Sequence, residues 1–167
     1  MTVADKIAEW LYEKRITHAF GIIGGGNVAL WDAITRLGKT EIVCTHHEQA
    51  AVLAACGYFR ATGKISIALV TTGAGSTNAI TGVASAFMDS TPLIILSGNE
   101  ASKYMYADTR VWGVQGYDSC RAVEGLCKRA SRAEGMPDLD AALYLAMKPR
   151  MGPVWIDLPK DVQSAAI

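Results

Sequence analysis

Ile65-Ser66-Ile67-Ala68-Leu69-Val70-Thr71, running directly into Thr72-Gly73-Ala74-Gly75-Ser76, is the stretch that decides the fold. A strand with one wet face alternates apolar and polar residues, whereas this one is almost continuously apolar. It therefore reads as a strand covered on both faces, the situation of a parallel sheet. The glycine loop opens a helix over 77–87, so the stretch is one strand–loop–helix unit.

The same unit recurs on either side. Upstream, Thr2 with Asp5 three residues on predicts a capping box, and Val3, Ile7, Trp10 and Leu11 place a helix over 3–15. His18 to Ile23 reads as a strand ended by Gly24-Gly25-Gly26. A helix over 27–37 follows, with Gly38 as its stop, and then a strand Glu41 to Thr45. Residues 48–61 form a helix that is apolar nearly all round, as expected of one buried on most sides, and Gly63 ends it. Downstream, Pro92 to Ser97 is a fourth strand, and 98–117 has no clean period. A helix near 118–128, a short segment 129–133, a helix 138–148 opened by Pro137-Asp138 and a strand Val154 to Asp157 complete the chain. This alternation predicts an α/β fold: an open, mostly parallel sheet with helices on both faces and ligands at the strand C-terminal edge. All 167 residues are expected in one domain.

Composition narrows the function classes. Half of the residues are apolar and 19% are charged, with 16 basic against 16 acidic side chains. That balance argues against disorder, a nucleic-acid arm and an acidic tail. No apolar run reaches the ~20 residues of a membrane span, and Met1-Thr2-Val3-Ala4-Asp5 is unlike a signal peptide. The expectation is a cytoplasmic protein without membrane or nucleic-acid partners, some of whose apolar surface a protein partner covers. Cys44, Cys56, Cys120 and Cys127 form no C-x-x-C pair and read as small buried residues. His46 and His47 are adjacent, pointing to opposite sides, so no metal site is expected from this chain alone.

Three features fall on the predicted ligand edge. Gly24 to Gly26 allows a backbone to approach a ligand or take positive φ, and also suits a plain tight turn. Thr72-Gly73-Ala74-Gly75 opens a helix as a phosphate cradle would, but lacks the third glycine of a dinucleotide fingerprint and a P-loop lysine. Glu48 opens the apolar helix. A carboxylate there suits the helix dipole, and among Ala50, Ala51, Val52 and Leu53 it is also a candidate for a poised acid.

These residues carry a family resemblance. His47-Glu48-Gln49-Ala50-Ala51 with Gly57-Tyr58-Phe59-Arg60-Ala61-Thr62-Gly63-Lys64 resembles the HEQAA and GYARATGK signature of thiamine-diphosphate enzymes of the acetolactate synthase and pyruvate oxidase type. Thr71 to Asn78 is similar to their TSGPGATN. Phe87 to Leu93 and Trp155 to Asp161 resemble later markers of the N-terminal pyrimidine-binding (PYR) domain. The resemblance spans essentially the whole chain.

The resemblance implies that Glu48 bonds N1′ of the cofactor's aminopyrimidine and, by protonating it, favours loss of the thiazolium C2 proton. Ile23 and Gly24 match a Pro-Gly pair whose backbone lines the pyrimidine, with Ile23 in place of the proline. Thr72, Ala74 (again in place of a proline) and Asn78 are the other cofactor-side positions. Val114-Gln115-Gly116-Tyr117-Asp118 is similar to the family's FQEAD, which makes Gln115 a substrate-side group beside the catalytic Glu48. Family enzymes hold the diphosphate through Mg²⁺ in a second (PP) domain with a Gly-Asp-Gly…Asn pattern. That pattern is absent here, and Asp89 and Asp108, the acids near the loops, lack its spacing. The implied cofactors are thus thiamine diphosphate and a Mg²⁺ held by a partner domain. The implied partner is a PP-domain subunit or a missing C-terminal region, in a homo- or hetero-oligomer. The chain is then a subunit of a split enzyme or an excised domain, working on a 2-oxo acid, with carboligation favoured over simple decarboxylation. Two readings of other classes stand beside it: a regulatory or scaffolding protein retaining the PYR fold, and a small nucleotide-binding Rossmann domain resting on the Gly73 loop.

Overall fold

The computed structural model describes residues 1–105 and 113–167. Asp108 lies outside them. The sheet has six strands, all parallel, in the order β2-β1-β3-β4-β6-β5. Strands β1 (His18–Gly21), β2 (Glu41–Cys44), β3 (Ile67–Val70) and β4 (Leu93–Asn99) occupy the positions the sequence predicts, as does β6 (Pro153–Pro159). The remaining strand, β5 (Arg129–Arg132), forms from the short segment to which the sequence pattern assigns no type.

Side-chain alternation divides the core in two. Ile67, Leu69, Ile94, Leu96, Val154 and Ile156 face one layer, built from helices α1 (Val3–Glu13), α2 (Val28–Leu37), α6 (Leu139–Met147) and α7 (Lys160–Ser164). Ala68, Val70, Leu93, Ile95 and Trp155 face the other, built from α3 (Glu48–Thr62), α4 (Ala74–Met88) and the short α5 (Ser119–Val123). Both faces are covered, which is why these strands carry no polar face.

Local chemistry sets the helix ends. The Thr2 hydroxyl accepts from Asp5 N–H while the Asp5 carboxylate accepts from Thr2 N–H, completing the predicted capping box. Helix α1 ends short of residue 15, because Arg15 turns into the left-handed region at φ 57°. Helix α4 begins three residues earlier than predicted, since Gly73 rather than Ser76 occupies the turn before it. The predicted helix 118–128 breaks after α5 into a 3₁₀ turn, Glu124–Leu126, and further 3₁₀ turns cover Ser102–Tyr104 and Gly113–Gly116. Helix α7 has no counterpart in the sequence reading.

Helix α3 departs from expectation. Ala51, Val52, Ala55 and Cys56 are buried, but Ala50, Leu53 and Gly57 face outward, with Leu53 41% exposed. Its buried side fits tightly on α4, where a Cβ at Gly82 would lie 2.6 Å from Val52 Cβ. Among the described residues no helix is long and apolar enough to cross a membrane.

Candidate functional site

The strand order places a switch point between β1 and β3. From β1 the chain crosses to β2 on one side and then to β3 on the other. Open α/β sheets bind ligands in the crevice at such a switch point, and here the triple glycine after β1 and the Thr72–Gly75 loop after β3 flank that position.

Close approach, not unusual φ, explains Gly24. A Cβ there would lie 2.5 Å from Thr71 Oγ1, and one at Gly26 3.0 Å from Thr72 N. Side-chain hydrogen bonds help fix this loop: Gly24 N–H donates to Asn27 Oδ1 (2.8 Å), Asn27 Nδ2 to the Ile22 carbonyl (3.0 Å) and Gly26 N–H to Thr71 Oγ1 (3.1 Å). Asn27 is fully buried, its side chain serving the backbone of its own turn. On the opposite side Gly73 does take positive φ, +66°. Its Cα also faces Gln115, whose Oε1 would lie 2.6 Å from an added Cβ.

Glu48 sits in the first turn of α3, only 7% exposed. His47 caps that helix through Nδ1, which accepts from Gln49 N–H at 3.2 Å. Asn78, in the second turn of α4, donates from Nδ2 to Glu48 Oε2 at 3.0 Å. Glu48 Oε1 lies against the bare Cα of Gly75, 3.2 Å from where a Cβ would stand. The first turns of two helices thus converge on one carboxylate, and helix N-termini favour negative charge.

Of the residues expected at the site, the structure brings Glu48 and Asn78 into direct contact. Gly24 lies against Thr71, and Thr72 joins the Gln115 segment: its hydroxyl is 2.8 Å from the Gln115 carbonyl oxygen and 2.9 Å from Asn99 Oδ1. Ile23, 53% exposed, and Ala74 carry exposed side chains.

A buried polar hub went unrecognised in the sequence. Asp157, with no exposure, accepts from Asn99 Nδ2 (2.9 and 3.0 Å), Ser119 Oγ (2.8 Å) and Arg132 Nε (2.9 Å). Burial pushes its carboxyl up, while the Arg132, Asn99 and Ser119 bonds hold it down against that. Through Asn99 the hub reaches Thr72, and through Ser119 it fixes α5. The visible signal was a lone aspartate inside the apolar strand Val154 to Leu158, which demands buried partners. Nearby, Tyr117 and Ser76 hydroxyls meet at 2.6 Å, and burial raises the Tyr117 phenol. Cys120 and Cys127 are free thiols pushed up to about 12 by burial, which suits plain core residues.

The site is thus a buried carboxylate set between two loops whose glycines leave backbone bare. Residues 1–123 match the family described as thiamine pyrophosphate enzyme, N-terminal TPP binding domain. The chain belongs to that family. It is 39% identical over 166 residues to the acetolactate synthase large subunit of Buchnera aphidicola subsp. Schizaphis graminum. It is 39% identical over 162 residues to that of Haemophilus influenzae, and 38% over 171 to the isozyme 3 large subunit of Escherichia coli. These alignments cover 95, 95 and 98% of the chain, which spans 28% of the length of each of those relatives.

Proposed function

We propose that this chain is the pyrimidine-holding part of a thiamine-diphosphate enzyme that decarboxylates a 2-oxo acid and passes the acyl carbanion to an acceptor, as in acetolactate synthesis. The observation that carries the reading is the Glu48–Asn78 pair, a carboxylate 7% exposed and held at 3.0 Å in the switch-point crevice. When bound, thiamine diphosphate supplies an electron sink for cleavage beside the carbonyl. Glu48 holds a proton against N1′ of the aminopyrimidine, a general-acid role that requires a titrating carboxyl group. Asn78 holds Glu48 by engaging Oε2, leaving Oε1, beside the bare Cα of Gly75, for the ring. The backbone from Ile23 to Gly24 and from Thr72 to Ala74 lines the ring on either side. Gln115, set against Gly73, meets the substrate.

The diphosphate and its Mg²⁺ belong to a PP-type partner, either another subunit or a C-terminal region, within a homo- or hetero-oligomer. Mg²⁺ is usually held by one or two carboxylates plus phosphates, and the reading rests on the Gly-Asp-Gly…Asn pattern, which this sequence lacks. The test measures carbon dioxide release from 2-oxo acids with Mg²⁺ and thiamine diphosphate, using the chain, a PP-domain protein carrying Gly-Asp-Gly…Asn, and both together. Turnover only in the mixture is expected. Turnover by the chain alone, not exceeded by the mixture, overturns the proposal.

A further inference from the structure

Residue 163 lies forty positions beyond the matched family span, in a helix the sequence did not predict. Gln163 is fully buried. Its Nε2 is 2.6 Å from the Gly26 carbonyl oxygen and 2.7 Å from that of Leu158. A primary amide nitrogen carries two hydrogens, so it donates to both at once. Two acceptors on one side also dictate which end of the amide is nitrogen. Its Oε1 has no partner among the described residues. A residue kept only to fill space here would be apolar, so the two donated bonds are what distinguish glutamine.

The Gly26 carbonyl has little alternative. A Cβ at Gly98 would lie 2.0 Å from its oxygen, so the β4 backbone closes that side. Gln163 thus joins the end of β6 to the last glycine of the triple-glycine loop, across 137 residues of sequence.

We infer that Gln163 is a positioning residue for the Gly24–Gly26 loop, holding its backbone in place at the crevice through the Gly26 carbonyl. The importance of that loop for the cofactor rests on the function proposed above, whereas the hold itself does not. Three loop amides report it directly, since Gly24, Gly26 and Asn27 N–H donate to Asn27 Oδ1, Thr71 Oγ1 and the Gly24 carbonyl.

Amide hydrogen exchange on the 167-residue chain, wild type against Gln163→Met, tests the hold. Methionine keeps length and removes both donors together with the unpartnered oxygen. We expect roughly tenfold faster exchange at 24–27, the equivalent of the one hydrogen bond lost from the loop, well above any change at α1 amides, with a lowered Tm because two carbonyls lose their donor. Unchanged exchange at 24–27, or a uniform rise across the chain, overturns the inference. Should the methionine variant fail to fold, Gln163→Asn keeps the amide but is too short to reach both carbonyls, and the same criteria apply. A second arm measures thiamine diphosphate affinity of each variant assembled with a PP-domain partner. A loosened loop with weakened affinity supports hold and cofactor reading together. A loosened loop with unchanged affinity retains the hold and overturns the loop's cofactor role.

Discussion

Asn78 donates its side-chain amide to Glu48 Oε2 at 3.0 Å, joining the first turn of α3 to the second turn of α4. The pair lies where the chain reverses direction across the sheet. Neither residue alone distinguishes a ligand site from a helix start, but together they place a buried carboxylate against a neutral amide rather than a fixed cation.

Glu48→Gln should fold normally, because the carbonyl oxygen of the new side-chain amide can still accept from Asn78. It should slow C2 proton exchange of bound thiamine diphosphate by ~10²–10⁴-fold, the range of general acid–base contributions. Proton exchange followed by NMR on the partnered protein is the measurement. Wild-type rates in the variant would remove Glu48 from the chemistry.

The outward face of α3 offers a cleaner test of association than its core. Leu53 is 41% exposed and lies between exposed Ala50 and Gly57, so Leu53→Arg leaves the buried side of the helix intact. If this face packs against another subunit of the proposed oligomer, sedimentation should show weaker association with Tm nearly unchanged at low concentration. A wild-type chain that stays monomeric at micromolar concentration even with a PP-domain partner would contradict it.

Thr2→Ala should cost about 1 kcal/mol by removing the capping hydroxyl of α1. The box also makes stability pH-dependent. Thr2 N–H and the Arg36 guanidinium, each 2.8 Å away, hold the Asp5 carboxyl down to about 2 from its ordinary 3.8. A depressed carboxylate stabilises the fold fully above its unfolded value, and that contribution is lost as pH falls through 3.8 towards about 2. Urea titrations across that window should give a shallower pH dependence for Asp5→Asn than for the wild type.

Arg132→Met should be among the most damaging single changes, roughly 3–5 kcal/mol, since it strands the fully buried Asp157 without its cation. Adding Asp157→Asn should recover much of the loss, because a neutral amide needs no counter-charge. Chemical denaturation of the two single variants and the double variant checks this. Additive losses would show that the ion pair is not what binds β5 to β6.

Much of this protein was legible from local sequence. A doubly covered parallel sheet follows from continuous apolar runs, since burial of a strand's two faces is written in its own residues. The α1 capping box, the stops at Gly38 and Gly63 and the ordered Glu48, Gly73 and Asn78 motifs are equally local. Strand β5 was not legible, because Arg129-Ala130-Ser131-Arg132 is extended through its pairing with β6 rather than by its own pattern. Tertiary structure alone decided that Asn78 meets Glu48, that Asp157 gathers Asn99, Ser119 and Arg132, and that Gln163 reaches Gly26. Each of these contacts joins residues from separate elements. Strand order and crossover direction determine which loops share an edge, and no periodicity within one segment encodes that arrangement.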